Sequence, residues 1–197
     1  MNIQDIVMSQ DIQRIQKFFE ESDVNSIFEQ MDQLQRKHQR ILFQLANPNI
    51  DISDVLPESA SPLQEVILSG INTLPLPKKL KRFEKRVCLP KERSDVLFGY
   101  NEGPTRSLIG PGYFVLKSTK GNPEWEKRGG LVVDYFEVPN TEVVSGWPEV
   151  KRNTQGLQFF VYNKTRDFLR KITNRVCIGT AYKKESALDH YFLLLRL

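Results

Sequence analysis

Histidine, cysteine and tryptophan each occur only twice in the 197 residues. The two cysteines, Cys88 and Cys177, each lie in an apolar or strand-like stretch. That excludes a disulfide-stapled secreted scaffold and points to a reducing compartment, with a Cys88–Cys177 bridge as the minor alternative. His38 and His190 are far apart, so neither His-rich nor Cys-rich ligand spacing exists and no metal site is expected. No uninterrupted apolar run reaches the roughly 18 residues of a membrane span, and segment 1–20 mixes Gln, Asp and Glu with Ile and Phe rather than forming a secretory signal. A cytoplasmic location is the expectation. Catalytic and phosphate-binding signatures are missing as well: there is no G-x-S-x-G elbow, no P-loop and no G-x-G-x-x-G turn. Internal repeats and low-complexity tracts are absent, which excludes solenoids and disordered arrays.

What is present suffices for a folded core, since 40% of the residues are hydrophobic. Charge is divided unevenly. Residues 1–77 carry 5 Lys and Arg against 11 Asp and Glu, whereas residues 78–197 carry 23 against 13. Such halves can dock on one another, pair head to tail between copies, or leave the basic part for an anionic partner.

Ser22 or Asp23 can cap a helix whose apolar residues recur at 24, 27, 31, 34, 41 and 45. In heptads, Val24, Met31, His38 and Leu45 share one seam and Ile27, Leu34 and Ile41 the other, so this helix could pack on its own core or on a second copy. Ahead of it, Ile3, Ile6, Ile15 and Phe19 suggest a first helix, making residues 1–46 a helical hairpin and residues 47–60 a linker. Ser61, Pro62 and Gln64 then form a capping-box pattern for a short helix over Leu63, Val66, Ile67 and Ile71. From about residue 95 the period becomes strand-like, with candidate strands at 95–100, 112–118, 130–138, 175–182 and 190–196. Leu157, Phe160, Val161, Phe168, Leu169 and Ile172 recur at helical spacing between them. The resulting expectation is an α+β fold: N-terminal helices, then over 61–197 an antiparallel, partly barrel-like sheet packed with one long helix. The last strand, apolar on both faces, should be central.

Residues 78–93 hold eight basic and two acidic side chains. Drawn as a helix, this stretch fans Lys78, Lys79, Lys81, Arg82, Lys85 and Arg86 outward as an anion-binding surface; the alternative is a solvated face satisfied by acids of the same chain. Aromatic interleaving is limited to Phe83, so nucleic acid is a third-ranked partner. Asp134 shares a strand face with Val132 and Phe136, and His190 shares one with Phe192 and Leu194. A carboxylate on an apolar face must be paired, hydrogen-bonded or protonated, so these two residues, with Tyr113, Tyr135 and Tyr162, are candidate acid/base groups. The competing explanation is purely structural. The Gly110-Pro111-Gly112 turn is most simply a tight turn.

The segments Gly110-Pro111-Gly112-Tyr113-Phe114, Val132-Val133-Asp134-Tyr135, Gly146-Trp147-Pro148, Val161-Tyr162, Asp167-Phe168-Leu169-Arg170-Lys171, Ile178-Gly179 and Tyr191-Phe192 together resemble a family of short soluble bacterial proteins with no assigned activity. The resemblance covers roughly residues 75–195 and implies neither cofactor nor catalytic set. The function expected from the sequence is therefore binding of an anionic small molecule or acidic partner, with self-association into a homodimer through the N-terminal helices; a small acid/base enzyme using Asp134 and His190 is the alternative.

Overall fold

In the computed structural model, which describes residues 2–197, each strand pairs antiparallel with the next in chain order. The strands are β1 (Val66–Asn72), β2 (Arg82–Cys88), β3 (Val96–Glu102), β4 (Phe114–Ser118), β5 (Leu131–Asp134), β6 (Thr165–Lys171), β7 (Val176–Lys183) and β8 (Ser186–Arg196). β8 returns to pair with β1, Leu68 opposite Arg196 and Asn72 opposite Phe192, closing an up-and-down barrel with no free edge. This is the mixed α+β class with a barrel-like sheet.

Alternation along the strands separates two faces. Leu68, Val87, Leu97, Phe114, Leu116, Leu131, Val133, Leu169, Phe192 and Leu194 fill the interior. On the outer wall Ile71, Val176, Ile178, Leu193 and Leu195 lie under the N-terminal helices. β8 is therefore apolar on both faces because one meets the interior and the other the helices, and it has strands on both sides. Cys88 and Cys177 are free, buried, and in different core clusters.

Residues 2–46 form four short helices where the sequence pattern over 1–46 predicts a two-helix hairpin: α1 (Ile3–Met8), α2 (Ile12–Glu21), α3 (Val24–Met31) and α4 (Arg36–Leu45). Asn2, Asp11 and Asp23 cap the first three through backbone amides two or three residues on. The heptad stripe is thus broken between Met31 and Arg36. Ile27, Met31, Leu34 and Leu42 are all buried against the barrel wall, so the face expected to pair two chains is used within one. Charge complementarity is also used within the chain: Asp32 of the acidic part binds Arg82 of the basic part at 2.6 Å, while Arg40 and Asp189, at 2.7 Å, pair with the signs reversed.

His38 is buried at the start of α4, where its Nδ1 accepts a hydrogen bond from the Gln35 backbone N–H at 3.1 Å. Burial, reinforced by Lys37, lowers its pKa from the ordinary 6.5. The unfolded chain then binds the proton more readily, so the stability this group contributes is present above pH 6.5 and is lost as pH falls through the lowered folded value. The melting temperature should drop on acidification, and His38→Gln should flatten part of that limb at a cost of about 1 kcal/mol near neutrality. Thermal scans across pH test this; an unchanged acid limb in the variant would show that His38 is not its source.

Three expected helices are largely strand. The Ser61 N–H does bond Gln64 Oε1 at 3.0 Å, but the chain turns at Leu63 (φ 58°) and enters β1, where Ile67, Ile71 and the ladders to β2 and β8 outweigh local capping. The basic stretch is a 3-10 turn at Lys78–Leu80 followed by β2, which points Phe83, Lys85 and Val87 inward. The long helix expected over 157–172 is a single turn, α8 (Gln158–Val161), then β6, whose inward residues are Thr165, Asp167 and Leu169. In both cases a polar interior residue, Lys85 or Asp167, hides the period of two.

The expected linker 47–60 contains α5 (Ile52–Val55); Ile50 just before the helix and Val55 within it pack against the interior cluster at one end of the barrel. Lys171 and Asp54 pin it at 2.7 Å. Near the other end lie α6 (Arg106–Ile109) and α8, joined where Gln158 Oε1 accepts from the Gly112 N–H at 3.3 Å. A further turn, α7 (Pro123–Glu126), connects β4 and β5.

Candidate functional site

Two places concentrate polar chemistry. The first is inside the barrel. Lys85 is only 2% exposed, and its ammonium meets three acceptors: Tyr135 Oη at 2.6 Å, Asn101 Oδ1 at 3.0 Å and Asp167 Oδ2 at 3.2 Å. Three donors with three acceptors match the protonated amine. The rings of Phe114, Phe192, Tyr135 and Phe83 surround it at 5.0, 5.1, 5.2 and 5.7 Å to their centroids. Burial pushes the Lys85 pKa down and that of Asp167 up, each opposed by the other's charge. Tyr135 is also raised well above its usual value, first by burial and then by the Asp167 charge. Tyr162 stacks on Tyr135 at 5.1 Å and covers the network, and Gly112 leaves room for that ring, since a Cβ there would fall 2.4 Å from it.

This interior is filled. Gly70, Gly99 and Gly179 carry no side chain where Phe83, Phe114 and Phe192 rings press against the strands. The polar groups of the network satisfy one another within the chain, each with a partner among the described residues. Burial also raises the Cys177 thiol to about 12 and the Cys88 thiol to about 11, so neither is a ready thiolate.

The second place is outside. Residues 135–164 connect β5 to β6, and 135–157 contain no helix or strand, a length at which a loop usually has a job beyond connection. The loop is anchored at several points. Val143, Val144 and Trp147 pack on Cys88, Val96, Phe98 and Val115; the Trp147 indole N–H donates to Glu65 at 2.6 Å; and Tyr113 donates to the Pro148 carbonyl at 2.5 Å. Where the two ends of the loop, 135–140 and 150–154, meet the wall lies an open cleft of about 870 Å³, floored by Phe98 and Val115 and flanked by Phe136, Glu137, Val138, Arg152, Asn153 and Thr154.

Asn153 defines its chemistry. Its Nδ2 donates to the Tyr113 carbonyl at 2.7 Å and to the Tyr135 carbonyl at 2.8 Å, which fixes the orientation of the amide. Its Oδ1 is buried and has no partner among the described residues. Arg152 is exposed on the lining, and its guanidinium forms no ion pair among the described residues. The cleft thus offers an apolar floor, the unpartnered Asn153 acceptor and the unneutralised Arg152, beside two groups already engaged: Glu137, held by Lys117, and Arg93, held by Asp95.

The residues singled out in the sequence are scattered. Of the six proposed anion-binding side chains, Lys85 is interior; Lys78 and Arg82 face Asp32; and Arg86 pairs with Glu84 and Glu65. Lys79 and Lys81 alone of the six have no ion pair among the described residues. Asp134 is on the outer wall, bound to Arg166 at 3.1 Å, 3.5 Å from Lys117, and accepting from the Phe136 N–H at 3.0 Å. His190 is on β8, separated from β5 by β6 and β7, with Nδ1 buried and unpartnered among the described residues and its pKa lowered by burial and by Arg36. The two do not share a pocket. Tyr113 lies on the outer wall with Tyr100 and Trp147, whereas Tyr162 closes the interior. Asp167, Asn101, Arg152 and Asn153 were not foreseen; the length of the loop was the one local signal pointing toward the last two.

No group of three or more His, Cys, Asp or Glu side chains placed to hold a metal ion occurs among the described residues. Among the described residues no helix is long and apolar enough to cross a membrane. Comparison of the chain with protein-family models, curated proteins and solved structures finds no match.

Proposed function

We propose that this protein binds a small anionic molecule with an apolar or aromatic body in the cleft beneath the 135–157 loop. The observation that carries this reading is the buried, unpartnered Asn153 Oδ1 on the lining of a cleft that also holds the unpaired Arg152. An acceptor buried without a partner costs free energy that a ligand N–H or O–H would recover. Arg152 adds a fork suited to a carboxylate, sulfonate or phosphate. Phe98, Val115 and Phe136 supply apolar contact, and the volume falls in the range of small-molecule sites. The two free, buried cysteines support a cytosolic setting for this binding.

Anilinonaphthalene sulfonate combines an aromatic body, an anionic group and an N–H donor, and its fluorescence reports binding directly. The intact protein should bind it, and Arg152→Glu should weaken binding by about tenfold or more while leaving the melting temperature unchanged. Equal affinity in the variant would overturn the assignment of this cleft. Asn153 is unsuitable for the test because its amide also ties Tyr113 to Tyr135.

A further inference from the structure

The barrel end near α6 and α8 carries an apolar surface that no described residue covers. Phe160 and Leu108 are each 71% exposed, and Leu157, Phe159 and Val161 are also exposed. Three of the five are consecutive on α8 and a fourth, Leu157, is its N-cap residue. α6 lies beside it, since a Cβ on Gly110 would come within 2.8 Å of Gln158 Oε1. Large apolar side chains grouped on one tip are unusual for a surface facing water alone.

Basic residues rim this tip. Lys183 Nζ donates to the Phe160 carbonyl at 2.8 Å, and the Lys184 N–H donates to the Lys164 carbonyl at 2.9 Å. None of Lys164, Lys183 and Lys184 forms an ion pair among the described residues. The nearby acid, Glu185, is engaged by Arg128 and Arg166, both at 2.5 Å, so it does not cancel the lysines. The turns hold this arrangement, with Lys164 at φ 58° and Lys184 at φ 50°.

We propose that this end docks on the surface of a bilayer containing anionic lipid. Leu157, Phe159, Phe160 and Leu108 enter the boundary between headgroups and acyl chains, and Lys164, Lys183 and Lys184 lie at the level of the phosphates. Apolar side chains that insert shallowly, together with cations that meet a negative surface, are the two contributions that give reversible interfacial binding. The charge pattern selects this occupant over a second copy of the chain: a copy would bring the same lysines to face one another. Docking is independent of ligand binding in the cleft, although Asn163, which borders the cleft, lies between α8 and Lys164.

The test is co-sedimentation of the intact protein with phosphatidylcholine vesicles, with and without phosphatidylglycerol. Binding should appear only with phosphatidylglycerol and weaken with added salt. Phe159→Ser with Phe160→Ser, and separately Lys164→Glu with Lys184→Glu, should each reduce it about tenfold or more while melting temperature and anilinonaphthalene sulfonate binding at the cleft persist. Three results would overturn the proposal: no sedimentation with either vesicle, binding undiminished in both variants, or a protein that sediments as a dimer made monomeric by the Phe substitutions without vesicle binding.

Discussion

Replacing Lys85 by Met should destabilise the protein by about 3–5 kcal/mol, because it leaves the Asp167 carboxylate buried without its cation. Asp167 is 5% exposed, and only the Tyr135 hydroxyl would remain as its donor, at 3.1 Å. The loss should depend on pH with a definite sign. Asp167 already has a raised folded pKa from burial, and removing the ammonium that opposes this raises it further. The folded variant then holds a proton that the unfolded chain releases above 3.8, so its stability is greatest in acid and declines as pH rises from there through the folded value. Adding Asp167→Leu should restore most of the loss, since an apolar pair removes the desolvation cost of both charges. Asn101 and Tyr135 would still satisfy one another, with Asn101 Nδ2 at 3.1 Å from the hydroxyl. Urea unfolding of the two variants between pH 5 and 8 measures this. A single variant as stable as the parent at neutral pH would show that the ion pair is not charged in the fold.

Gly99→Ala is expected to cost about 3 kcal/mol, near the upper end for overpacking, because one of the two atoms in the way cannot move. The added Cβ would stand 2.6 Å from the Arg86 backbone oxygen and 2.6 Å from the Phe114 ring. The ring can be shortened; the strand cannot be displaced without disturbing the β2–β3 ladder, where Val87 faces Gly99. Phe114→Leu alone opens space and costs about 1–2 kcal/mol. Combined, the two should cost at least about 1 kcal/mol less than their sum. Strict additivity would mean that the ring is not what the methyl group meets. The same close fit recurs at Gly70 and Gly179, where the Phe83 and Phe192 rings press against the strand with no room for a methyl group.

Strand positions after residue 95 were legible because Val96–Glu102, Phe114–Ser118, Leu131–Asp134, Val176–Lys183 and Ser186–Arg196 have apolar residues at every second place or on both faces. β2 and β6 were misread for one shared reason. Each carries a charged residue at an interior position, and their apolar residues happen also to fit a helical period. The capping pattern at Ser61 formed its bond but did not set the conformation beyond it, since a local hydrogen bond is weaker than two strand ladders. The Asp134 argument correctly required a partner, and Arg166 supplies it, on the wall and away from His190. Arg152 and Asn153 carry no motif; what distinguishes them is one missing partner each, a property of the packed chain alone.

By itself, the sequence determined the α+β class, the antiparallel strand run ending in a strand buried on both faces, the division of charge between the two parts and the lack of His- or Cys-rich ligand spacing and of nucleophile motifs. These follow from local periodicity and composition, which need no long-range contact to be read. Tertiary structure alone decided that the sheet closes, that the heptad stripe is spent on the barrel wall, that Lys85 meets Asp167 across 82 residues, and that the long loop leaves a cleft beside an exposed apolar tip. Closure requires β8 to pair with β1 across more than a hundred residues, and a buried ion pair is stable only once both partners arrive. Both depend on the complete register of eight strands, which no local window contains.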